Sequence, residues 1–262
     1  MIDTNKIYCG NNLDIMKTMD IESIDLIYLD PPYFSQKNYE DFTDFWNSLD
    51  DYLTFMKLRL QEMHRILKNT GSIYLHVDWH AVHYLKVEMD KIFGYNNFQN
   101  EIIWCYNSPV NSHNRFCRKH DNILFYTKSN KYTFNDNDVR IPYGEWANGK
   151  KSYKTKSYGL DEVKEIELNK NGKLCPDYWD INMLSSNSKE RNKYPTQKPI
   201  ELLERIVKAS SNENDIILDP FCGSGTTLEA ANQLDRKYIG IDENKQAIEI
   251  CKKRLKNDYN NW

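Results

Sequence analysis

The chain has 262 residues, of which 40% are hydrophobic and 28% are charged. This balance is ordinary for a globular protein and excludes collagen-like, low-complexity and wholly disordered chains, and the length predicts one or two domains. The formal net charge is -3 at pH 7, so a role in binding nucleic acid would have to depend on local rather than global charge.

Three further features bear on the compartment of the protein. No apolar run approaches the roughly 18 residues of a membrane span, and the first residues lack the basic and apolar regions of a signal peptide. The six cysteines are dispersed and form no Cys-x-x-Cys pair, so neither a zinc site nor a disulfide framework is predicted. We therefore expect a cytoplasmic protein with no membrane association.

Predicted strands and helices alternate in the first half of the chain. The short apolar run over 24–29 predicts a buried strand that ends at Pro31 and Pro32, which remove hydrogen-bond donors and force a turn. Apolar residues spaced three and four apart over 46–67 predict a core-facing helix that ends before Gly71. The elements expected next are a strand over 72–77, a helix over 81–93 closed by Gly94, and strands over 101–106 and 122–127.

The periodicity weakens between residues 107 and 193, which predicts an inserted module or a set of long loops. Order returns at Pro199, which suits the first turn of a helix. The elements expected after this helix are a strand over 216–218, a glycine loop over 221–225, a helix over 226–234, a strand over 238–241 and a final helix to about 255. The alternation predicts an α/β fold in which helices cover both faces of a parallel sheet.

The glycine loop lies in the sequence Asp219-Pro220-Phe221-Cys222-Gly223-Ser224-Gly225-Thr226-Thr227, between a predicted strand and a predicted helix. Glycine lets the backbone approach a ligand closely, and a helix N-terminus adds oriented amide groups. Asp242 ends the next strand, where nucleoside-binding folds hold ribose hydroxyls. The loop therefore favours a nucleoside ligand, and the alternative is a tight turn that needs glycine only for its geometry. A nicotinamide dinucleotide is less favoured because the third glycine of Gly-x-Gly-x-x-Gly is missing.

The second motif, Asp30-Pro31-Pro32-Tyr33, directly follows the first of the predicted strands. A rigid turn after a strand explains the two prolines. It does not explain why an acidic and an aromatic residue flank them, so the motif is a candidate site in its own right.

Together, this motif and the Phe-x-Gly-x-Gly segment over 221–225 resemble the signature motifs of the amino DNA methyltransferases, which transfer a methyl group from S-adenosyl-L-methionine to an exocyclic base nitrogen. The order, with the acidic-proline loop first and the glycine loop last, is similar to that of the beta class. Further stretches that carry the resemblance lie at 7–13, 71–76, 100–104 and 194–199. The resemblance covers nearly the whole chain apart from residues 128–192.

The resemblance implies a doubly wound, mostly parallel, seven-stranded Rossmann-like methyltransferase sheet that is circularly permuted. It implies one methyltransferase domain in two parts, with the catalytic half in residues 1–127 and the cofactor-binding half in residues 193–262. A target-recognition region would be inserted between them, over residues 128–192.

The resemblance also implies the chemistry of the acidic-proline loop. An exocyclic amine is a poor nucleophile because its lone pair is delocalised into the ring, and two acceptors that hold its N–H groups favour a pyramidal nitrogen. In the family these acceptors are the acidic side chain and the first proline's carbonyl, here Asp30 and Pro31, and the carboxylate stabilises charge that develops on nitrogen. Pro32 is expected to stiffen the loop and Tyr33 to stack on a base flipped out of the duplex. No metal ion or covalent intermediate is expected, since a sulfonium is a good leaving group.

Cofactor residues follow from the same resemblance. The glycine loop would line the methionine and adenosine ends of S-adenosyl-L-methionine, and Asp242 would bind the ribose hydroxyls. Thr196 and Lys198 would flank the methionine carboxylate. The expected set is Asn11, Asp30, Thr196, Lys198, Asp219, Pro220, Phe221, Cys222, Gly223, Ser224, Gly225, Thr226 and Asp242.

Some residues depart from the family pattern or suggest other chemistry. Family members often carry Asp where this chain has Asn11, and usually His where it has Tyr194. Cys222 is expected to be a small loop residue rather than a nucleophile. The histidines have no Cys or paired acid at ligand spacing, so no metal site is predicted for His76, His80 and His83.

Charge is unevenly distributed in the chain. Residues 107–156 include ten basic and four acidic side chains, whereas the whole chain is slightly acidic. A basic block interleaved with aromatic residues favours phosphate contact and base readout, and a solvated surface loop is the alternative. The residues expected to bind DNA are His113, Arg115, Arg118 and Lys119.

The sequence thus predicts a site-specific adenine-N6 DNA methyltransferase of a restriction-modification system, which acts on double-stranded DNA. By analogy with the family, a homodimer and a cognate restriction endonuclease are expected partners. Cytosine-N4 methylation is the nearest alternative, although the cytosine enzymes more often have Ser where this chain has Asp30. A protein-methylating relative usually has Asn there and would not need the basic block. A non-catalytic DNA-recognition subunit is the alternative of another class, and the intact Asp30 and Tyr33 disfavour it.

Overall fold

The computed structural model describes residues 2–38, 43–109, 111–156, 163–185, 187–192, 194 and 196–258. The strands are β1 (Lys6–Cys9), β2 (Ile24–Leu29), β3 (Lys37–Asn38), β4 (Thr43–Asp44), β5 (Leu67–Val77), β6 (Phe98–Cys105), β7 (His120–Thr127), β8 (Ser152–Lys156), β9 (Val163–Glu167), β10 (Tyr178–Asp180), β11 (Ile216–Asp219) and β12 (Lys237–Asp242). The helices are α1 (Asn12–Lys17), α2 (Leu49–Ile66), α3 (Val82–Phe93), α4 (Ile200–Ser210), α5 (Thr226–Gln233) and α6 (Lys245–Asp258). None of these helices is long and apolar enough to cross a membrane.

An eight-stranded, mostly parallel sheet forms the centre of the larger of two compact units, which comprises Met1–Phe134 and Asp177–Trp262. The strand order is β1-β12-β11-β2-β5-β7-β6-β10. The strands from β1 to β5 in this order are all parallel, whereas β7 is antiparallel to both of its neighbours. The fold is therefore α/β, as the alternation in the sequence predicts.

The number of strands in the sheet differs from the expectation. It has eight strands rather than seven, because the three-residue β10 pairs in parallel with the edge strand β6, and three residues are too few to give a periodic signal. The expected mostly parallel arrangement is confirmed, and β7 is antiparallel because β6 and β7 are joined by a direct loop without the crossover helix that parallel strands need.

Most predicted elements of this unit are confirmed to within a few residues, and β2 matches its predicted bounds. Gly71 is the clearest error, because it lies inside β5 and does not end α2. A Cβ at Gly71 would lie 2.6 Å from Leu67 Cδ1 and 2.9 Å from the carbonyl oxygen of Asp25. The glycine is therefore required for a close approach of backbone at the register shift between β2 and β5.

The core is built on the predicted apolar face of α2. Met56, Leu60 and Met63 are fully buried, and they belong to one cluster with residues of β2, β5 and α3. Helices α1, α2 and α3 contact one another in sequence order, and so do α4, α5 and α6. Packing of these helices leaves the carboxyl ends of the parallel strands as the edge from which the functional loops emerge.

The second compact unit comprises Asn135–Pro176. Its strands β8 and β9 form an antiparallel pair, and Ile141 forms an isolated bridge with Lys173. This unit is shorter than the insert predicted over 128–192. Residues 128–134 belong to the larger unit, where the amide of Lys128 donates to the carbonyl of Gly71 at 2.9 Å, and β10 belongs to the central sheet. The role of the insert in target recognition stays a prediction.

Candidate active site

Three aspartates meet at the carboxyl edge of the sheet. Asp219 and Asp242 are the last residues of β11 and β12, and Asp30 directly follows β2. Because β2, β11 and β12 are adjacent parallel strands, their ends lie side by side. The three carboxyl groups line one cavity of about 560 Å³, which is within the size range of small-molecule sites.

The Asp30 side chain is held by two donors. The hydroxyl of Tyr33 donates to one carboxylate oxygen, and the ammonium of Lys198 donates to the other as an ion pair. The Lys198 side chain also lies over the Tyr33 ring, with Nζ 5.6 Å from the ring centroid. Residues that are far apart in sequence thus fix the orientation of one carboxylate at the cavity wall.

The backbone of the Pro-Pro turn is anchored unevenly. Tyr52 of α2 donates its hydroxyl to the carbonyl of Pro32 at 2.9 Å. In the described part of the chain, the carbonyl of Pro31 accepts no hydrogen bond. Both prolines line the cavity, so the acceptor that the sequence reasoning assigned to Pro31 is free to receive a donor.

Asp44 organises the chain that follows this turn. Its buried carboxylate accepts the amide N–H of Tyr33 at 3.2 Å, of Phe34 at 2.8 Å and of Ser35 at 2.8 Å, as well as the indole N–H of Trp46 at 3.2 Å. Phe34 has a φ of 64°, a region that L residues rarely adopt. The carboxylate therefore offsets local strain beside the candidate catalytic loop.

The glycine loop has the geometry expected of a ligand-binding turn. Gly223 has a φ of 48°, and a Cβ there would lie 3.2 Å from the ring of Tyr194. Its amide donates to Asp242 at 2.9 Å, and the amide of Cys222 donates to the carbonyl of Ile241 at 3.0 Å. The loop thus folds against the end of β12 and brings Asp242 to the cavity.

Asp219 is the most perturbed of the carboxyl groups that line the cavity. It is only 3% exposed and accepts the amide of Phe221 at 3.0 Å. Burial raises the pKa of Asp219 to about 7, and the carboxylates of Asp30 and Asp242 add to the rise. Burial also raises the pKa of Asp242. A cationic ligand in the cavity would relieve this accumulation of negative charge.

Two other side chains of the glycine loop are engaged within the fold. The Cys251 thiol of α6 and burial together raise the pKa of Cys222 well above its ordinary value, which disfavours a thiolate nucleophile. The hydroxyl of Thr226 accepts a hydrogen bond from Arg254 of α6 at 2.9 Å.

Sequence reasoning missed several residues of the cavity wall, among them Asn12 and Arg59. Asn12 donates to the carbonyl of Pro220 at 2.7 Å and accepts from Arg59 Nε at 2.8 Å. Arg59 is 4% exposed and lies over the ring of Phe55, with Cζ 3.3 Å from its centroid. Burial lowers the pKa of Arg59 to about 10, so it remains a cation at neutral pH.

Most of the residues predicted for catalysis and cofactor binding line this cavity. They are Asp30, Pro31, Pro32, Tyr33, Thr196, Lys198, Asp219, Pro220, Phe221, Cys222, Gly223, Ser224, Thr226 and Asp242.

Asn11 and Gly225 do not line it. Asn11 caps α1, since its side chain accepts the amides of Leu13 and Asp14 and donates to Glu243. Gly225 packs against α6, where a Cβ would lie 2.2 Å from Cys251 Sγ. The resemblance to the family assigned both residues to the cofactor, and that role stays a prediction.

The residues predicted to bind DNA lie outside the cavity, on the loop between β6 and β7. His113, Arg115 and Arg118 are exposed. Arg118 stacks on Trp79, with Cζ 3.6 Å from the ring centroid. Lys119 is half-buried and donates to the carbonyl of Ser108, so its ammonium joins the two ends of the loop.

Two of the three histidines considered above as metal ligands, His76 and His80, contact acidic or hydroxyl side chains. The buried His76 contacts the hydroxyl of Tyr28 at 2.8 Å and a carboxylate oxygen of Asp121 at 3.3 Å. His80 contacts Asp78 at 2.8 Å. The hydroxyl of Tyr106 donates to Asp121 at 2.9 Å. Burial opposes ionisation of Asp121, but the bond to His76 and the nearby Lys198 lower the pKa of Asp121 below its ordinary value.

Comparison with known proteins decides the family. A family model described as "DNA methylase" matches residues 24–253. The Type II methyltransferase M.HpaI of Haemophilus parainfluenzae is 34% identical over 98% of this chain and 76% of its own length. The chain belongs to this family of DNA methylases.

Other members support the same assignment for this methyltransferase. The DNA adenine methyltransferase YhdJ of Escherichia coli (strain K12) is 33% identical over 94% of this chain and 81% of its own length. The solved structure of the M1.HpyAVI–SAM complex covers 95% of this chain and 98% of its own chain, with a TM-score of 0.63 and 25% identity. The sheet is accordingly the Rossmann-like sheet of DNA methyltransferases.

The methyltransferase depends on S-adenosyl-L-methionine, and the cavity residues suit that molecule. Carboxylates at the ends of β11 and β12 match its cationic groups and ribose hydroxyls. A side chain at Gly223 would meet Tyr194, so the glycine keeps a cradle beside the N-terminus of α5 in which a nucleoside can approach the backbone.

Proposed function

We propose that this methyltransferase modifies the exocyclic N6 of adenine within a specific sequence of double-stranded DNA. The observation that carries the proposal is the pairing, at one cavity wall, of the fixed Asp30 carboxylate with the unengaged Pro31 carbonyl. These are two acceptors for the two N–H groups of one amine. The carboxylate favours adenine over cytosine by the family correlation for this position.

In the proposed mechanism, Asp30 and Pro31 hold the amine by its two N–H groups. A carboxylate oxygen has about two lone-pair sites, so Asp30 can accept a further donor while Tyr33 and Lys198 remain bound. Holding both protons favours a pyramidal nitrogen, whose lone pair is withdrawn from conjugation with the ring and would face the cofactor. Asp30 also stabilises the positive charge that develops on nitrogen.

S-adenosyl-L-methionine would supply a methyl group on a positively charged sulfur. As the N–C bond forms, the S–C bond would break and the sulfur would leave as a neutral thioether, and the methylated nitrogen would then lose one proton to water. Asp219 and Asp242 would hold the cationic and ribose parts of the molecule. Thr196 and Lys198 would lie at its methionine end, and the ion pair with Lys198 would in addition orient the Asp30 carboxylate. Rate acceleration then comes from positioning and electrostatics, without a covalent enzyme intermediate.

The target base has to leave the duplex to reach Asp30, because N6 is inaccessible inside the stack. The Tyr33 ring lines the cavity beside Asp30, and we assign to it stacking on the extruded base. Exposed basic side chains of the β6–β7 loop, Arg115 and Arg118, would contact the flanking phosphates.

The proposal is tested by expression in a host that lacks DNA methylation, followed by mapping of modified bases across its genome. We expect N6-methyladenine at every copy of one short sequence, and none in cells that express Asp30→Ala. N4-methylcytosine at a defined sequence would contradict the choice of adenine and make cytosine the target base. Unmodified DNA from cells that contain the folded wild-type protein would contradict it.

We further propose that the protein acts in the bacterial cytoplasm beside a restriction endonuclease that cleaves the same sequence, and that two copies of the chain associate. The Type II names of the relatives support the first point.

We assign target recognition to the unit 135–176, so exchange of this segment for that of a relative should change the mapped sequence but not the modified base. Sedimentation of the purified protein tests association, and a single monomeric species would contradict it.

A further inference from the structure

An exposed aromatic residue stands among the arginines of the loop between β6 and β7. The Phe116 side chain is 97% exposed, the largest exposed fraction among the large hydrophobic residues that the structure describes. Single exposed apolar side chains are common and by themselves indicate nothing. The surroundings and location of Phe116 distinguish it.

The first distinguishing observation is charge. Residues 107–119 include Arg115, Arg118, Lys119 and His113 but no acidic side chain. Arg115 and Arg118 are exposed on either side of Phe116. Cationic side chains suit the phosphates of duplex DNA, and an exposed aromatic ring suits its stacked bases.

The second observation is that the loop is anchored at its root. The amide of Tyr106 donates to the carbonyl of Lys119 at 3.0 Å, and the ammonium of Lys119 donates to the carbonyl of Ser108. Arg118 stacks on Trp79, which follows the end of β5. A side chain carried on such a loop needs less ordering when it binds than one on an unanchored loop.

The third observation is position. The loop leaves the sheet at the carboxyl edge, since Cys105 pairs with His120 and Val77 at the end of β5 pairs with Asn122. β7 is two strands away from β2, which places the loop root about 10 Å from the end of β2. Contacts bridge this interval: Asp121 contacts His76, and the His76 ring lies 6.2 Å from the Tyr33 ring.

From these observations we propose that Phe116 is a wedge that enters the DNA stack at the place vacated by the flipped base. This inference rests on the proposed function, because a wedge is needed only if the base is extruded. An apolar ring in the gap replaces the lost stacking of the neighbouring bases and of the orphaned partner base, so that extrusion costs less. Arg115 and Arg118 would hold the phosphates on each side of the gap.

The test compares Phe116→Ala and Phe116→Leu with the wild type. Tyr95→Ala is the matched control, because Tyr95 is 74% exposed and precedes β6, at the end of that strand opposite the loop. Two duplexes contain the mapped target. In the first the target base is normally paired, and in the second the complementary strand has an abasic nucleotide opposite it, so that extrusion breaks no base pair.

On the paired duplex we expect Phe116→Ala to lower kcat/KM roughly tenfold or more, whereas Phe116→Leu and Tyr95→Ala stay close to the wild type. With 2-aminopurine at the target position, Phe116→Ala should show less of the fluorescence increase that reports extrusion. On the abasic duplex the defect of Phe116→Ala should largely disappear. Calorimetric binding of S-adenosyl-L-methionine should be unchanged, because Phe116 does not line the cavity.

Equal defects on the two duplexes would overturn the wedge and make Phe116 an ordinary contact. Unchanged activity of Phe116→Ala on the paired duplex would overturn it as well, while leaving methyl transfer by the wild type intact. A wild-type protein that methylates neither duplex would instead remove the proposed function, and the wedge with it.

Discussion

At the scale of single residues, the site depends on a few carboxylates whose environments differ. Asp30 is ion-paired, Asp44 accepts backbone amides, and Asp219 is buried among other acids. Carboxylates therefore serve three purposes here: Asp30 would contact the substrate, Asp44 fixes the geometry of the loop, and Asp219 would balance the positive charge of the ligand.

Asp44→Ala should loosen the catalytic loop. The substitution leaves the amides of Tyr33, Phe34 and Ser35 without their acceptor, and we expect a loss of about 2–4 kcal/mol in the free energy of unfolding. Asp44→Asn retains one oxygen and should lose less. Chemical denaturation measures both, and an Asp44→Ala protein as stable as the wild type would show that the loop does not need this carboxylate.

Asp219 should make stability depend on pH. Its pKa is about 7 in the folded protein and about 4 in an unfolded chain, so the folded state binds the extra proton between these values. The free energy of unfolding should therefore fall as pH rises from about 4 to 7. Asp219→Asn should remove this part of the slope in denaturation curves recorded across that range. An identical slope in the variant would mean that Asp219 is already ionised in the folded protein over this whole pH range.

At the scale of elements, the glycine loop is fixed by the packing of α6 on the start of α5. Gly225 has a φ of 81° and lies against Cys251 of α6, where a Cβ would be 2.2 Å from Sγ. The positive φ and the close approach are separate reasons for glycine here.

Gly225→Ala should therefore destabilise the protein by about 2–4 kcal/mol, through overpacking and an unfavourable backbone conformation. In a Cys251→Ala background the thiol is gone, and the cost should fall toward the backbone part of about 1 kcal/mol. A double-mutant cycle by thermal or chemical denaturation measures the difference. Equal costs in the two backgrounds would show that α6 moves away without penalty.

The elements also show what the sequence could predict. The strand at 24–29, the apolar face of α2 and the two motif loops all carry local signals, namely period, proline and glycine. Local spacing could not reveal the hydrogen bond between Arg59 and Asn12, because the two residues are 47 positions apart in the sequence. The same holds for the hydrogen bond from Asn12 to the carbonyl of Pro220, which spans 208 positions. Capping of α1 by Asn11 was likewise not predicted, and its role in cofactor binding stays a prediction.

At the scale of the whole molecule, an acidic protein has to bind an acidic polymer. The net charge of -3 offers no general attraction to DNA, so binding has to depend on local clusters such as the β6–β7 loop. The second unit contributes further lysines, including Lys150, Lys151 and Lys154.

Arg115→Gln should flatten the dependence of DNA affinity on salt. Loss of one phosphate contact reduces the slope of log K against log salt concentration by about 0.9. Lys119→Gln should change it less, because that ammonium bonds within the loop, and Lys91→Gln on α3 serves as the surface control. Fluorescence anisotropy over a range of salt concentrations gives the slopes, and an unaltered slope for Arg115→Gln would place it outside the interface.

The account as a whole rests on Asp30 as the acceptor that activates the amine, and single-turnover methylation of the mapped duplex tests it most directly. With bound cofactor verified by calorimetry, we expect Asp30→Ala to lower the rate of methyl transfer by at least about 100-fold to 1000-fold. Asp50→Ala, at an exposed position in the first turn of α2, should leave that rate unchanged. An Asp30→Ala protein that binds the cofactor and transfers methyl groups at the wild-type rate would contradict the account.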